Sequence, residues 1–302
     1  MTLAGLGVGI VVGLTGMGGG ALMTPILVLL FGVPPVAAVS SDLAASAVMK
    51  PFGGWVHARR KTVNWRLVGW LCAGSVPSAF LGVLLLRLIG PDAAVQRTVQ
   101  VALAVALLLA AAGLVVKAYR GRRGPAATGE RPAVTVRPLA TALLGAAGGL
   151  IVGLTSVGSG SVIIVVLLAM YPKLRANDLV GTDLVQAIPL VTAAALGHAL
   201  FGDLRLDIAG AILVGSVPGV LLGAWLSTRA PAALVRAALV VVLLASALKL
   251  LTVPTPVVGA VVAAAIVIYA VTAIRWRATG RSPAAPGPAG GHPAELAGIN
   301  RA

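Results

Sequence analysis

Three ionisable residues fall inside apolar stretches, where a charge is tolerated only if something compensates it: Asp42 in AVSSDLAAS, Lys50 in AVMKPFGG and Asp183 in VGTDLVQA. Carboxylates at such depth can carry a coupling proton or orient neighbouring hydroxyls, and Ser40, Ser41 and Thr182 stand beside them. Helix capping is the competing reading, since Ser-Ser-Asp and Gly-Thr-Asp suit a helix start and an acid is favoured there. Lys50 needs an anion or a carboxylate; Asp42 is two turns away, and a substrate charge would serve, while the competing reading is that its stem snorkels to a surface. Gln186 follows Asp183 by nearly one helical turn and is expected to face the same cavity.

Two glycine-rich stretches add a second kind of chemistry. GMGGGA (16–21) and SVGSGS (156–161) interrupt long apolar runs, and a helix that restarts after such a break presents free N–H groups and the positive end of its dipole. Gly18, Gly19 and Gly20 in one stretch, with Gly158, Ser159, Gly160 and Ser161 in the other, are therefore expected to hold an anion. Glycines also serve close helix packing, and Gly5, Gly9 and Gly13 at four-residue spacing read that way. Pro77 and Pro218, each in a GSVP sequence, are read as kinks whose freed backbone groups Ser75 and Ser216 satisfy. His57 and His198 lie near segment ends and read as interfacial structure rather than a proton relay.

Other chemistries lack their residues. SVGSGS with His198 does not form a nucleophile elbow, because Val157 stands two positions before Ser159. Cys72 is the single cysteine, no His/Cys/Met cluster has ligand spacing, and no GxxxxGK[ST] loop is present. No catalytic residue, metal site or cofactor is expected.

The elements that position these residues follow from composition. The 302-residue chain is 59% hydrophobic and 10% charged, with a mean hydropathy of +1.02, the profile of a polytopic all-α membrane protein. Its net charge of +15 lies mainly in short segments between apolar runs, as in cytoplasmic loops, with no aromatic-lined basic face for nucleic acid. Apolar segments fall at about 3–31, 37–57, 66–89, 95–116, 139–170, 179–200, 206–227, 232–251 and 254–274.

The chain also repeats itself. VGLTGMGGGALMTP (12–25) aligns with VGLTSVGSGSVIIV (152–165), SSDLAAS (40–46) with GTDLVQA (181–187), His57 with His198 and GSVP with GSVP. Lys50 has no counterpart, since Val191 aligns with it. The reading is one membrane repeat over 1–116, a basic cytoplasmic loop over 117–138, a second repeat over 139–252, an additional transmembrane helix over 253–275 and a disordered cytoplasmic tail over 276–302.

Positive charge arbitrates the topology. If every segment crosses once, Lys and Arg divide 12 against 10 between the two sides, leaving out Lys50. If 3–31 and 139–170 are instead re-entrant, with two pieces of about 13 residues each, the division becomes 18 against 4, as the positive-inside rule favours. Each repeat is then a glycine-broken re-entrant or discontinuous helix plus three transmembrane helices, and the odd number of crossings makes the repeats inverted.

GMGGGALMTP, VAAVSSDLAAS, the basic turn HARRKTVNWRL and the second-copy GLTSVGSGSV, GTDL and GHALFGDLRL together resemble the sulfite exporter TauE/SafE family of membrane permeases, over about residues 3–251. The resemblance implies a multi-pass inner-membrane transporter with two related halves, acting on sulfur-containing anions such as sulfite or organosulfonates. In this chain SVGSGS replaces GMGGGA in the second copy, so hydroxyls stand where the first copy has bare backbone. The expected function is a secondary carrier working by alternating access. Its expected partners are a small anion, the lipid bilayer, a coupling H+ or Na+, and a second copy in a homodimer. A channel or metal permease, and more remotely an intramembrane enzyme, are the other readings.

Overall fold

A computed structural model describes residues 1–15, 20–59, 62–89, 93–120, 135–158, 160, 162–171, 174, 176–201, 204–226 and 232–278. It is all-helical, in the order α1 (Thr2–Thr15), α2 (Gly20–Phe31), α3 (Pro35–Arg59), α4 (Trp65–Ile89), α5 (Ala93–Arg120), α6 (Pro138–Thr155), α7 (Val162–Met170), α8 (Ala176–Phe201), α9 (Leu206–Leu226), α10 (Ala232–Leu250) and α11 (Thr255–Ala278). Both glycine-rich segments are broken: α1 ends at Thr15 and α2 begins at Gly20, while α6 ends at Thr155 and α7 begins at Val162. The second break is unequal, because α6 has 18 residues and α7 has 9, not two pieces of about 13. At ~1.5 Å per residue α6 alone is roughly 27 Å long.

Helix packing follows the sequence repeat. Gly145, Gly149 and Gly153 of α6 meet Leu71, Ser75 and Ala79 of α4 in the same order, so these helices run parallel and almost backbone to backbone. The equivalent pair in the other half does the same, with Gly5 of α1 against Ile212 of α9, Gly9 against Ser216 and Gly219, and Ile10 against Gly223. Small residues permit this approach, so the packing reading of Gly5 and Gly9 holds. Each half therefore lends its first helix to the fourth helix of the other.

α3 and α8 form the central antiparallel pair. Ser40 meets His198, and Gly54 meets Val185 and Ile188. At equivalent places each is tied to the loop leading into a helix of the other half: Ser41 Oγ donates to Arg205 O (3.3 Å), and Asn64 N donates to Thr182 Oγ1 (3.0 Å).

Among the described residues, five helices are long and apolar enough to cross a membrane, within α4, α5, α6, α8 and α9. Their outer surfaces carry exposed large apolar side chains such as Trp70, Leu85, Leu109, Leu143, Leu200, Val214 and Leu221, which suit lipid. α3 is 25 residues long but carries Asp42 and Lys50, and it is not among the five. By contrast the interior contains Ser40, Ser41, Asp42, Ser46, Lys50, Ser75, Thr182, Asp183, Gln186 and His198, all buried. The described residues divide into two units, one up to Val262 and one from Ala263 onward.

Candidate functional site

The second break is built by its own sequence. After Thr155, Ser156 turns left-handed at φ 58°, and its N–H returns to Val152 O at 2.8 Å. Gly158 at φ 139° and Gly160 at φ 91° continue in backbone regions that residues with a Cβ avoid. Gly158 O then accepts the N–H groups of Val162 and Ile163, which restarts the chain as α7.

That turn aims Ser156 at Asp42, whose Oδ2 accepts its hydroxyl at 2.5 Å. Thr24, the fifth residue of α2, donates to the same oxygen at 3.2 Å. Asp42 is the eighth residue of α3 and 2% exposed, and Asp183 is the eighth residue of α8 and 1% exposed, so neither caps its helix. Gly20 closes the group. A Cβ there would overlap Ser156 O and stand 2.9 Å from Asp42 Oδ2, so only glycine lets the start of α2 meet the second break. The carboxylate therefore lies against the positive end of α2, where an acid is stabilising.

Lys50 lies deeper in α3 and is 8% exposed, which leaves no room for the snorkelling reading. Both Asp183 and Asp42 attract its ammonium. The register of α3 against α8 puts about 14 positions between the two acids, roughly 20 Å along the pair. Lys50 stands between them. Gln186 is fully buried; its Nε2 donates to Ser75 Oγ at 2.8 Å, while its Oε1 has no hydrogen-bond partner among the described residues.

The structure thus joins Gly20 to Asp42 and brings Lys50 within electrostatic reach of Asp42 and Asp183. Ser41 and Thr182 are used as inter-half ties. Gly158 and Gly160 shape the second break. Gly18, Gly19, Ser159 and Ser161 lie outside the described residues.

Several contributors were not apparent from the sequence. Ser156 and Thr24 complete the Asp42 site, and the mismatch of SVGSGS with GMGGGA was the signal for Ser156. His198 is 1% exposed, not interfacial: Nδ1 is 2.8 Å from Ser40 Oγ and Nε2 is 2.9 Å from Gly153 O, so it ties α8 to α3 and α6. Ser75 and Ser216 also depart from expectation. Ser75 accepts from Gln186 and Ser216 donates to Met49 Sδ at 3.1 Å, instead of satisfying backbone freed by the prolines. The side chain of His57 lies outside the described residues.

Comparison with known proteins shows the family. The family model described as "Sulfite exporter TauE/SafE" matches residues 1–250. "Probable membrane transporter protein YjnA" of Bacillus subtilis (strain 168) is 40% identical over 251 residues, covering 82% of this chain and 98% of that protein. "Probable membrane transporter protein YdhB" of the same organism is 25% identical over 236 residues, covering 76% and 91%. No solved structure matches. With matching sequence over most of its length, spanning helices and a buried polar interior, the chain belongs to the sulfite exporter TauE/SafE family of membrane transporters.

Proposed function

We propose that this membrane transporter is a secondary carrier of the inner cell membrane that moves a small anion, sulfur-containing as the family name suggests, by alternating access. The single observation that carries the reading is the meeting of the two helix breaks at one buried polar point, where Gly20 touches Ser156 and Asp42. In hydrocarbon, broken backbone is tolerated only inside protein or along a wet cavity, and a carrier's central site supplies both. Lys50 is the proposed partner of the anion. The Gly158–Ser161 turn and the unpartnered end of Gln186 are the proposed flanking groups.

The contacts also support two re-entrant hairpins in inverted halves. α1 runs parallel to α9, and α9 starts beside Ser41, near the start of α3, so α1 and α2 begin and end at the same face. By the same argument from α4, Asn64 and Thr182, α6 and α7 begin and end at the face where α8 starts. Because α3 and α8 are antiparallel, those two faces are opposite. Cysteine accessibility at loops 32–36 and 172–176 tests this, since inverted hairpins require labelling from opposite sides.

The functional test is uptake into proteoliposomes of radiolabelled sulfite, with thiosulfate, sulfate, methanesulfonate and chloride as competitors. Saturable anion uptake that falls to the protein-free level in Lys50→Ala is expected. Transport of cations alone, or anion uptake unaffected by both Lys50→Ala and Gly19→Val, would sink the proposal.

A further inference from the structure

The charge of the interior does not balance. Among the described residues, the buried acidic and basic side chains are Asp42, Lys50, Asp183 and His198, which sum to −1 while the imidazole is neutral. An anion entering such a site adds like charge to a poorly solvating medium, which is unfavourable unless a cation comes with it.

His198 has a place prepared for that cation. Gly153 O can only accept, so Nε2 carries a hydrogen and donates to it. Nδ1 faces Ser40 Oγ at 2.8 Å, and the same hydroxyl is 2.8 Å from Val36 O, to which it can donate. Ser40 has one proton. With neutral His198 it serves either Nδ1 or Val36, never both. With a proton on Nδ1 the ring donates to Ser40 and Ser40 donates to Val36, so every contact is satisfied and none is broken. Protonating Asp42 at Oδ2 would instead disturb the bonds from Ser156 and Thr24.

His198 is also wired to the break. Gly153 lies three residues before Ser156, and Ser40 lies two before Asp42, so Asp42, Ser156, Gly153, His198 and Ser40 close a ring across α3, α6 and α8. We propose that His198 is the coupling-proton site of the carrier: one proton binds at Nδ1 with each monovalent anion, and its occupancy sets the strength of the tie that holds α6 at the second break.

Other charged groups around the ring are few. On α3 they are Asp42, Lys50, His57 and Arg59, and on α8 Asp178 and Asp183. α4, which meets Gly197 through Phe80 and Val83, carries Arg66, Cys72 and Arg87; α5 carries Arg97 near its start, and Arg205 and Asp207 flank the start of α9. α6 and α7 carry none. Asp42 is the carboxylate closest along the chain to Ser40, and it favours a cation at the ring.

The inference rests on the carrier reading for its purpose, but its test needs no substrate. Full-length protein in nanodiscs with ring-labelled histidine is titrated by NMR, with deuterium exchange of residues 152–157 normalised to intrinsic rates. The chain has three histidines, and His198→Gln assigns the signal. On acidification, His198 should pass from the Nε2–H tautomer to the doubly protonated ring, with a step in exchange at the same pH. The glutamine amide can replace Nε2–H toward Gly153 O but takes no proton, so His198→Gln should lose the step while keeping the fold. Ser40→Ala removes the acceptor for the new N–H, so the step should move to lower pH. A ring that stays neutral until the protein unfolds would overturn the proposal. So would a step that survives His198→Gln, or one abolished by Asp183→Asn instead. Failure of anion uptake in liposomes, by contrast, would remove the substrate reading and leave the proton site standing.

Discussion

Asp42 and Asp183 occupy the same position in two copies of one unit, yet they are held by different means. Asp42 receives hydroxyls from Ser156 and Thr24. At the positions that would serve Asp183 the aligned residues are Gly16 and Ile164, which carry no hydroxyl. On the α3/α8 register Asp183 lies closer than Asp42 to the level of Lys50, a residue with no equivalent in the second copy. One backbone plan thus supports two solutions to the same burial problem, a carboxylate clamped by neutral donors and a carboxylate facing a cation. An evenly duplicated pair would bind the same way from both faces. In the uneven pair Asp42 is fixed by hydrogen bonds from both α2 and the second break.

Removing the cation is the largest perturbation of that contrast. Lys50→Met leaves two buried carboxylates without a counter-charge, and loss of one member of a buried ionic set costs about 3–5 kcal/mol. Folded yield and unfolding midpoint in detergent should fall sharply. The double variant Lys50→Met/Asp183→Asn should recover most of the loss, whereas Lys50→Met/Asp42→Asn should recover less, because Asp42 keeps its hydroxyls. Equal rescue by both would remove the distinction between the halves.

The meeting of the breaks should be less costly to disturb but still visible. In Gly20→Ala the new methyl overlaps Ser156 O and crowds Asp42, and overpacking of this kind costs about 1–3 kcal/mol. Gly7→Ala in the neighbouring α1, where a Cβ would meet nothing within 4 Å, is the control and should be neutral or slightly stabilising. If the two variants unfold alike, the breaks do not touch.

These features differ in how far they could be read from sequence. The breaks were legible because runs of glycine inside apolar segments leave few other readings, and the repeat was legible because local motifs recur in register. Lengths were not: α6 reaches 18 residues because Pro138 starts it and Ser156 ends it, and hydropathy marks neither event. The ties were hidden by separation. Asp42 finds Ser156 at 114 positions' distance, and Ser40 finds His198 at 158. Both meetings depend on α3 and α8 pairing antiparallel across the halves, which no local pattern encodes. Lys50 was recognisable as unusual, since a charge within an apolar run needs a partner, but Asp183 could be named as that partner only from the packing.

The smallest expected effect tests whether the clamp itself is graded. Thr24 donates to Asp42 at 3.2 Å and Ser156 at 2.5 Å, so the two donors should not contribute equally. Thr24→Val keeps the shape of the side chain and removes only the longer bond, and its cost should fall at or below the low end of the ~1.5–3 kcal/mol typical of hydrogen bonds to charged groups. Ser156→Ala should cost more, because it removes the shorter bond and the only protein donor that crosses from the second half to this acid among the described contacts. Thermal unfolding of the two variants in one detergent gives the order directly. The reverse order would mean that Asp42 belongs mainly to its own half, bound to α2, and that the second break only rests against it. In that case Asp42 would be coupled to the second half through the charges of Lys50 and Asp183 and not through a hydrogen bond to the break.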